Sequence, residues 1–244
     1  FGIDIECDRK DGFRYYIGNS EVLEEDSIQN WMLSTLSVNS VLSESKAVSD
    51  RIILESIPSD GEDLHRFIEA MKSSVRIKVG YRRYASEYET TMLVEPCLVK
   101  LFNRRWYGLV KSLKHGNYFL LSFDRIRGIE LTSEKFTLED EFDPSMWFDG
   151  CYGIVRNDDI PVQTVRIRAF GEEVYYLRDL PLHPSQTEVE TTDRWSDFEM
   201  HLRPTGDFYT PLMSRGALIR VMEPQWLADE IRRQHETAAK LYEN

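Results

Sequence analysis

Arginine and aromatic residues recur together between residues 81 and 127, and their chemistry suits a ligand that carries phosphate groups and a flat ring. A guanidinium group offers forked, permanently charged donors that match phosphate oxygens in pairs. An aromatic side chain offers a face on which a base can stack, a contact worth roughly 1–3 kcal/mol per base. Many oligonucleotide-binding surfaces on small β-barrels combine these residue types. The candidate ligand-binding residues are Tyr81, Arg105, Trp106, Tyr107, Arg125 and Arg127.

Each of these residues also has a purely structural interpretation. Trp106 and Tyr107 are neighbours, so one of them must face inward if their strand alternates. Arg125 follows Asp124 and could form one end of a structural ion pair. Tyr81 could close a barrel with its hydroxyl bonded to the backbone. The sequence alone leaves both kinds of interpretation open.

The distribution of charge favours an anion site on one part of the chain. The 244 residues carry a formal net charge of −12, which argues against general affinity for nucleic acid. Residues 72–127 nevertheless contain 12 Lys and Arg against 4 Asp and Glu, a local net charge of +8. A local basic surface attracts anions whatever the total charge. The alternative is a coincidence of solvated surface charges.

Sequence signatures of catalysis are missing. The five histidines share no metal-ligand spacing, and there is no Gly-x-Ser-x-Gly elbow, P-loop or GxGxxG run. His183 and Ser185 flank a proline, and such neighbours rarely hold a base and a nucleophile in register. We therefore expect His183 to be a loop or domain-contact residue. The prediction is a protein that is not an enzyme, with no catalytic residue, no metal site and no cofactor.

Composition predicts a folded chain with a sizeable core. Hydrophobic residues make up 41% of the sequence, enough for one large or two modest domains. No run approaches the roughly 18 apolar residues of a membrane helix, and no signal peptide opens the sequence. Cys7, Cys97 and Cys151 are far apart and odd in number, so no disulfide framework is indicated. A cytoplasmic location with no membrane partner is predicted.

The first 74 residues predict a hairpin followed by helices. Strand-like runs flank Asp11-Gly12, a strong hairpin signal because both turn positions need positive φ. A lone hairpin is not stable in water, so we expect the chain to be a fragment. Residues 19–74 form a predicted helical linker region with a helix over Leu23–Val41. A second helix runs through Leu64, Phe67, Ile68 and Met71, and Ser59 or Asp60 could cap it.

From Val75 the apolar period changes from helical spacing to two, which indicates strands. Short antiparallel strands at this density predict a small barrel of SH3 or Sm type over residues 75–142. Its strands are expected near Val75–Tyr81, Thr91–Val94, Leu98–Phe102, Arg105–Lys111, Tyr118–Ser122 and Ile126–Leu131.

After an aromatic, acidic connector at residues 143–163, a second domain is predicted over residues 164–244. Its elements follow the order β-α-β-β-α-β-α, which is the ferredoxin-like arrangement plus a final helix. The fold class is therefore α+β. The expected strands are Thr164–Phe170, Thr187–Thr192, Phe198–Arg203 and Ala217–Met222, and the expected helices are Glu172–Asp179, Asp207–Arg215 and Pro224–Tyr242.

The central segment resembles the WYL domain of bacterial transcription regulators, a family named for a Trp-Tyr-Leu motif. Here the motif reads Trp106-Tyr107-Gly108, so its third position is altered. The run Leu121–Ile126 resembles the family's closing phrase Phe-Arg-Leu-Asp-Arg-Ile, with Ser122 in place of the usual arginine. Tyr81 matches a tyrosine on the family's first barrel strand. The resemblance adds Ser122 to the candidate site and implies a weaker anion site than is usual.

The flanking segments resemble the family as well. Residues 1–18 are similar to the wing hairpin of a winged helix-turn-helix, and Thr164–Asn244 is similar to a C-terminal extension. The resemblance implies the ligand-sensing and dimerisation region of a regulator that forms a homodimer. Its barrel would bind a nucleotide or single-stranded nucleic acid, and DNA would be bound by an N-terminal domain that is largely missing here. The alternative function is a passive oligomerisation or assembly module without a ligand.

Overall fold

The computed structural model describes residues 5–8, 14–17 and 61–243. The chain divides into two compact units, residues 1–56 and residues 57–244. In the first unit, β1 (Ile5–Asp8) and β2 (Arg14–Ile17) form an antiparallel pair that overlaps the two predicted hairpin strands, residues 1–7 and 13–17. The predicted turn at Asp11-Gly12 and the predicted helix Leu23–Val41 lie outside the described residues.

In the second unit, α1 (Gly61–Ser73) precedes a five-stranded antiparallel sheet. The strands are β3 (Val75–Tyr81), β4 (Thr90–Phe102), β5 (Arg105–Ser112), β6 (Tyr118–Ser122) and β7 (Ile126–Lys135), and their order across the sheet is β6-β5-β4-β3-β7. These strands follow the predicted order, except that β4 covers two of the predicted strands. Classification of the sheet as an SH3/Sm-like barrel stays a prediction.

One long strand replaces two predicted short ones. The segments Thr91–Val94 and Leu98–Phe102 both belong to β4, and the register of its pairing shifts between Pro96 and Leu98. Such a bulge bends a strand without ending it. The first part of β4 therefore pairs with β3, and its later part pairs with β5.

The core of the five-stranded sheet lies between the sheet and α1. On β3 the apolar residues that alternate along the sequence are all buried, as their period of two predicts. Phe67 and Ala70, three residues apart on α1, are fully buried against them. The Phe67 ring meets the Phe123 ring edge-on at a centroid distance of 5.4 Å. This contact joins α1 to the 3₁₀ turn Phe123–Arg125.

The connector at residues 143–163 is fixed by contacts to the five-stranded sheet and to the C-terminal part of the chain. Trp147 and Phe148 pack against a small cluster of buried residues on β4 and β5. Lys100 Nζ lies 4.0 Å from the centre of the Phe148 ring and donates to the Gly153 carbonyl at 2.6 Å. Asp207, in the C-terminal part, accepts from two backbone N–H groups of the connector at 2.9 and 3.1 Å.

The C-terminal part has the predicted element order and a four-stranded antiparallel sheet. Across this sheet the strands lie in the order β11 (Ile219–Glu223), β8 (Gln163–Phe170), β10 (Trp195–Leu202) and β9 (Thr187–Thr191). Assignment to the ferredoxin-like class stays a prediction. Gly216 follows the second of its helices with a φ of +52°, and a 3₁₀ turn over Gly216–Leu218 delays the last strand, predicted from Ala217, to Ile219. The elements are β8 (Gln163–Phe170), α2 (Glu173–Asp179), β9 (Thr187–Thr191), β10 (Trp195–Leu202), α3 (Gly206–Ser214), β11 (Ile219–Glu223) and α4 (Gln225–Lys240).

The two faces of the four-stranded sheet differ in chemistry. One face carries apolar residues of β8 and β10, such as Ile167 and Met200, and packs against the three helices. The alternate positions on the other face are charged, with Arg166 and Arg168 beside Asp197. The core of this part therefore lies on the helix side of the sheet.

Candidate functional site

A cleft of about 490 Å³ lies beside the 3₁₀ turn Phe123–Arg125. One wall is the segment that follows β3, and the other is formed by the turn and the start of β7. We name it the arginine cleft because four of its lining residues are arginines. Its lining comprises Arg82, Arg83, Tyr84, Ala85, Ser86, Glu87, Asp124, Arg125 and Arg127.

The segment after β3 is held in a compact turn against the 3₁₀ turn. The backbone N–H of Arg82 donates to the carbonyl of Arg125 at 3.1 Å, and the Arg82 Nε donates to the carbonyl of Ser86 at 3.1 Å. Ala85 has a φ of +58°, which reverses the chain direction. Arg83 and Tyr84 are exposed at this turn. The turn therefore presents a cation and an aromatic ring side by side.

Arg125 is held between two aromatic rings. Its guanidinium carbon lies 4.5 Å from the centre of the Tyr84 ring and 5.3 Å from that of the Tyr81 ring. Both distances are within the range of attractive cation–π contacts. Its Nε is buried and has no hydrogen-bond partner in the described part of the chain. The rings fix the position of the charge without neutralising it.

Asp124 is one of two carboxylates that line the cleft, the other being Glu87, and it pairs with Arg105, not with the adjacent Arg125. Its carboxylate accepts from the Ser122 hydroxyl, accepts from the Tyr84 hydroxyl at 3.3 Å and lies 3.7 Å from Arg105 Nη2. Burial raises the pKa of Asp124, but the Ser122 hydrogen bond and the Arg105 charge outweigh it, so the pKa lies below its ordinary value. Hydrogen bonding with Tyr84 and the charge of Asp124 raise the pKa of Arg105.

The positive charge of the cleft is only partly compensated. Arg127 approaches Glu89 no closer than 3.8 Å, and both side chains are about half exposed, so that ion pair is weak. Arg82 is bonded to a backbone carbonyl, which brings no negative charge. Among residues 61–243, no hydrogen-bond or ion-pair partner contacts the side chain of Arg83. An anion that enters the cleft therefore meets cations that remain available.

The structure places the sequence-predicted site residues in different surroundings. Arg125 and Arg127 line the cleft, and Arg105 adjoins it through Asp124 and Tyr84. The others lie nearer the core. The Tyr81 hydroxyl accepts from the backbone N–H of Ser122 at 3.4 Å, as its structural interpretation predicts, and Ser122 is buried. Trp106 packs against the core of the five-stranded sheet, and Tyr107 is half-buried on β5 opposite Ser122.

Three basic or aromatic residues of the cleft were not among the predicted site residues. Arg82, Arg83 and Tyr84 come directly after β3, and their side chains form the wall opposite Arg125. The signal in the sequence is the Arg-Arg-Tyr run itself, two cations and an aromatic where a strand ends. Tyr84 is 64% exposed, whereas Tyr81 is buried, so Tyr84 is the aromatic residue that offers a free face.

The pair His183 and Ser185 departs from expectation. The two side chains are hydrogen bonded, with His183 Nδ1 2.7 Å from Ser185 Oγ, although the intervening proline argued against such register. The Ser185 hydroxyl also bonds the backbone carbonyl and N–H of His201 at 3.2 and 2.8 Å. Burial is the main cause that lowers the pKa of His183. Because the hydroxyl is tied to the backbone of β10, the pair anchors a loop, in keeping with the predicted loop role of His183.

Among the described residues, no helix has the length and apolar character needed to cross a membrane. No group of three or more His, Cys, Asp or Glu side chains there is arranged to hold a metal ion.

Two family models match the chain. The model of the WYL domain matches residues 62–131, which cover most of α1 and of the five-stranded sheet and contain the arginine cleft. The model of the WCX domain matches residues 161–239, which include the four-stranded sheet and its helices. The protein is thus a WYL-domain protein with a C-terminal WCX domain. The match to the WYL model confirms the resemblance that the sequence motifs indicated.

Two solved structures are similar to the chain at low sequence identity. Proteasome accessory factor B/C (PafBC) of Arthrobacter aurescens has a TM-score of 0.37 and 18% identity, over 98% of this chain and 39% of that chain. A structure described as a CRISPR Cas-related protein has a TM-score of 0.48 and 13% identity, over 75% of this chain and 52% of that chain. The present chain thus spans 39% and 52% of the lengths of these two proteins. No curated protein matches it.

Proposed function

We propose that this chain is the ligand-sensing region of a DNA-binding transcription regulator and that the arginine cleft binds a nucleotide or single-stranded nucleic acid. The observation that carries the proposal is the cluster at the rim of the cleft. The guanidinium of Arg125 is stacked on an exposed tyrosine, Tyr84, beside Arg83, whose charge has no partner among the described residues.

The cleft has the chemistry that such a ligand requires. Phosphate oxygens would bridge Arg83 and Arg125, since guanidinium groups bind phosphate through paired donors. A base would stack on the face of Tyr84 that Arg125 does not cover. Asp124 lies at the same rim and can accept a hydrogen bond from a sugar hydroxyl or an exocyclic amine. The volume of about 490 Å³ is within the range of small-ligand sites.

The role that fits these features is regulatory and not enzymatic. The chemistry of the cleft is that of recognition, because it combines cations, a stacking surface and carboxylate acceptors. DNA binding is assigned to a winged-helix segment that β1 and β2 would complete as its wing. This assignment rests on the family and on the hairpin resemblance.

The 3₁₀ turn gives a physical route from the ligand to the rest of the molecule. Arg125 at one end of the turn faces the cleft, and Phe123 at the other end packs on Phe67 of α1. A ligand that pulls on Arg125 would therefore bias the position of α1. Such gating requires the ligand to bind one arrangement more tightly than the other.

Binding of single-stranded DNA and nucleotides across a range of salt concentrations tests the ligand. Arg83→Ala and Arg125→Ala are each expected to weaken oligonucleotide binding about tenfold or more and to reduce the slope of log affinity against log salt by about 0.7 per lost phosphate contact. Tyr84→Ala is expected to weaken binding by a similar factor while leaving the salt slope unchanged, because stacking carries no charge. Fluorescence anisotropy measures both quantities.

The matched control is Arg194→Ala, which removes an exposed arginine from a turn of the four-stranded sheet. It should leave affinity and salt slope unaltered. Arg105→Ala should have a smaller effect than Arg125→Ala, because Arg105 is engaged by Asp124. If all four cleft variants (at Arg83, Tyr84, Arg105 and Arg125) are folded by circular dichroism and bind the oligonucleotide as tightly as the unchanged chain, the arginine cleft is not the binding site. Absence of any binding would favour the passive assembly module.

We further propose that the chain forms a homodimer. The support is family membership and the prevalence of closed two-fold symmetry among soluble oligomers. Sedimentation equilibrium at micromolar concentration is expected to give twice the chain mass of 28.7 kDa. A single species at the monomer mass across this range would contradict the proposal.

A further inference from the structure

We infer that a groove along β4 is a docking site for an extended peptide segment with acidic side chains, which adds to the five-stranded sheet as a further strand. The groove adjoins the arginine cleft, with which it shares Arg83, and at about 660 Å³ it is larger. It is named the β4 groove. Its lining comprises Arg83, Thr90, Thr91, Met92, Leu93, Val94, Ser112, Leu113, Lys114, His115, Asn117 and Phe119.

The first step of the argument is an open strand edge. β4 pairs with β3 over Thr90–Val94, but its pairing with β5 begins only at Val94, which lies opposite Ser112. Residues 90–93 therefore have one backbone edge that no strand of the described chain covers. Extended peptides bind such edges through main-chain hydrogen bonds.

The β5–β6 turn explains why this edge stays open. At Ser112 the chain leaves β4: the Ser112 N–H donates to the Asn117 carbonyl at 2.9 Å, and the Gly116 N–H donates to the Ser112 carbonyl at 2.8 Å. Gly116 adopts a φ of +70°, which a glycine accommodates without strain. The turn thus closes on itself and forms the far wall of the groove instead of covering β4.

The edge also lacks the side chains that usually prevent strand addition. Exposed edges are commonly blocked by lysine, proline or an inward-pointing charge. The run Thr90-Thr91-Met92-Leu93 contains none of these. Threonine at the first two positions is a residue type enriched in strands. The edge is therefore competent to pair with a further strand.

The side chains of the groove define what kind of segment fits. Leu93, Leu113 and Phe119 form an apolar wall, and Leu113 is 39% exposed. A strand presents alternate side chains to such a wall. The ionisable residues that line the groove, Arg83, Lys114 and His115, are all basic, so the rim favours acidic side chains at the other positions. The expected occupant alternates apolar and acidic residues.

Fluorescence anisotropy with a labelled peptide of alternating valine and glutamate tests this inference on the full 244-residue chain. The peptide is expected to bind with saturation. Methylation of alternate backbone amides should weaken binding at least about tenfold, because it removes main-chain donors. Replacement of glutamate by lysine should weaken it by a similar factor. Equal binding of the N-methylated peptide would overturn strand addition, and equal binding of the lysine peptide would overturn the acidic preference.

Variants locate the peptide on the β4 groove. Lys114→Glu is expected to weaken binding about tenfold, whereas Arg194→Glu, which makes the same charge change on a distant turn, should not. Unchanged binding by Lys114→Glu would overturn the location. If self-association of the chain displaces the peptide, and Lys114→Glu abolishes that self-association, the occupant of the groove is a second copy of the chain. That result would overturn the proposal of a peptide partner. Because neither variant alters Arg83, Arg125 or Tyr84, nucleotide affinity should be retained, so a loss of peptide binding can be distinguished from a failure of the proposed function.

Discussion

Replacing Phe67 with alanine is expected to lower the free energy of unfolding by about 3–5 kcal/mol, the usual cost of removing a fully buried aromatic ring. Phe67 on α1 is completely buried, and its ring contacts Phe123 at a centroid distance of 5.4 Å. The substitution would leave a cavity between the helix and the sheet. Urea denaturation followed by circular dichroism measures the loss. Ile68→Ala, one position along the helix at a side chain that is 38% exposed, is the matched control and should cost much less.

The same ring explains the altered motif Trp106-Tyr107-Gly108. A Cβ atom placed on Gly108 would lie 2.7 Å from both Cε2 and Cζ of Phe67, a separation at which the ring would have to move. The ring of Phe67 therefore occupies the space beside the third motif position, where the family has leucine. Gly108→Leu is expected to destabilise the protein by overpacking, typically about 1–3 kcal/mol.

The two substitutions are expected to compensate each other. In Phe67→Ala/Gly108→Leu, the new leucine can fill the cavity that the lost ring leaves, so the double variant should be more stable than the sum of the two losses predicts. A double-mutant cycle isolates this coupling, which for contacting residues is about 0.5–3 kcal/mol. Strictly additive losses would show that the two positions do not share one space. In that case the glycine would need another explanation.

Local pattern was sufficient to predict most elements of the two sheets, because the spacing of apolar residues records which face of each element is buried. Pattern failed where a long-range contact decides the outcome. β4 continues through Pro96 because a bulge lets it pair with two different strands, β3 and β5. The local sequence does not determine which strands will pair. The 3₁₀ turn over Gly216–Leu218 likewise delays β11 relative to the predicted strand.

The candidate site was predictable in its chemistry but only partly in its members. Alternation shows that one of Trp106 and Tyr107 must face inward, yet only the packing identifies Trp106 as the residue on the core. Sequence adjacency suggested a pairing of Asp124 with Arg125. In the turn these neighbours point to different partners, and Asp124 contacts Arg105. The aromatic residue at the cleft is Tyr84, in a segment that carries no family motif.

Asp197→Ala is expected to be the most destabilising substitution on the charged face of the four-stranded sheet. The side chain of Asp197 is fully buried and accepts from Arg166 at 2.7 and 2.9 Å and from Arg168 at 2.6 and 3.0 Å. Removing one partner of a buried ion pair typically costs about 3–5 kcal/mol, and the low end applies because both arginines retain some access to solvent. The guanidinium carbon of Arg168 also lies 3.4 Å from the centre of the Trp195 ring, so removal of the Asp197 carboxylate should disorder that stacking contact.

The dependence of protein stability on pH in the acid range distinguishes the contribution of the Asp197 charge from that of its packing. Burial raises the pKa of Asp197, but hydrogen bonds from Arg168 and Arg166 outweigh it, so the pKa lies below its ordinary value of 3.8. A carboxyl with a lowered folded-state pKa adds stability that is present above its ordinary pKa and is lost as the pH falls through the folded value. Asp197→Asn should therefore destabilise the protein at neutral pH and flatten the decline of stability in acid.

The control for the ion-pair network is Glu190→Gln. Glu190 contacts Arg166 at 2.8 Å, but its side chain is 53% exposed, and exposed pairs contribute at most about 1 kcal/mol. Chemical denaturation at pH 7 and in acid should rank Asp197→Ala well above Glu190→Gln in destabilisation. A loss for Asp197→Ala no larger than that for Glu190→Gln would mean that the arginines find other partners. The buried carboxylate would then organise the sheet face without stabilising it.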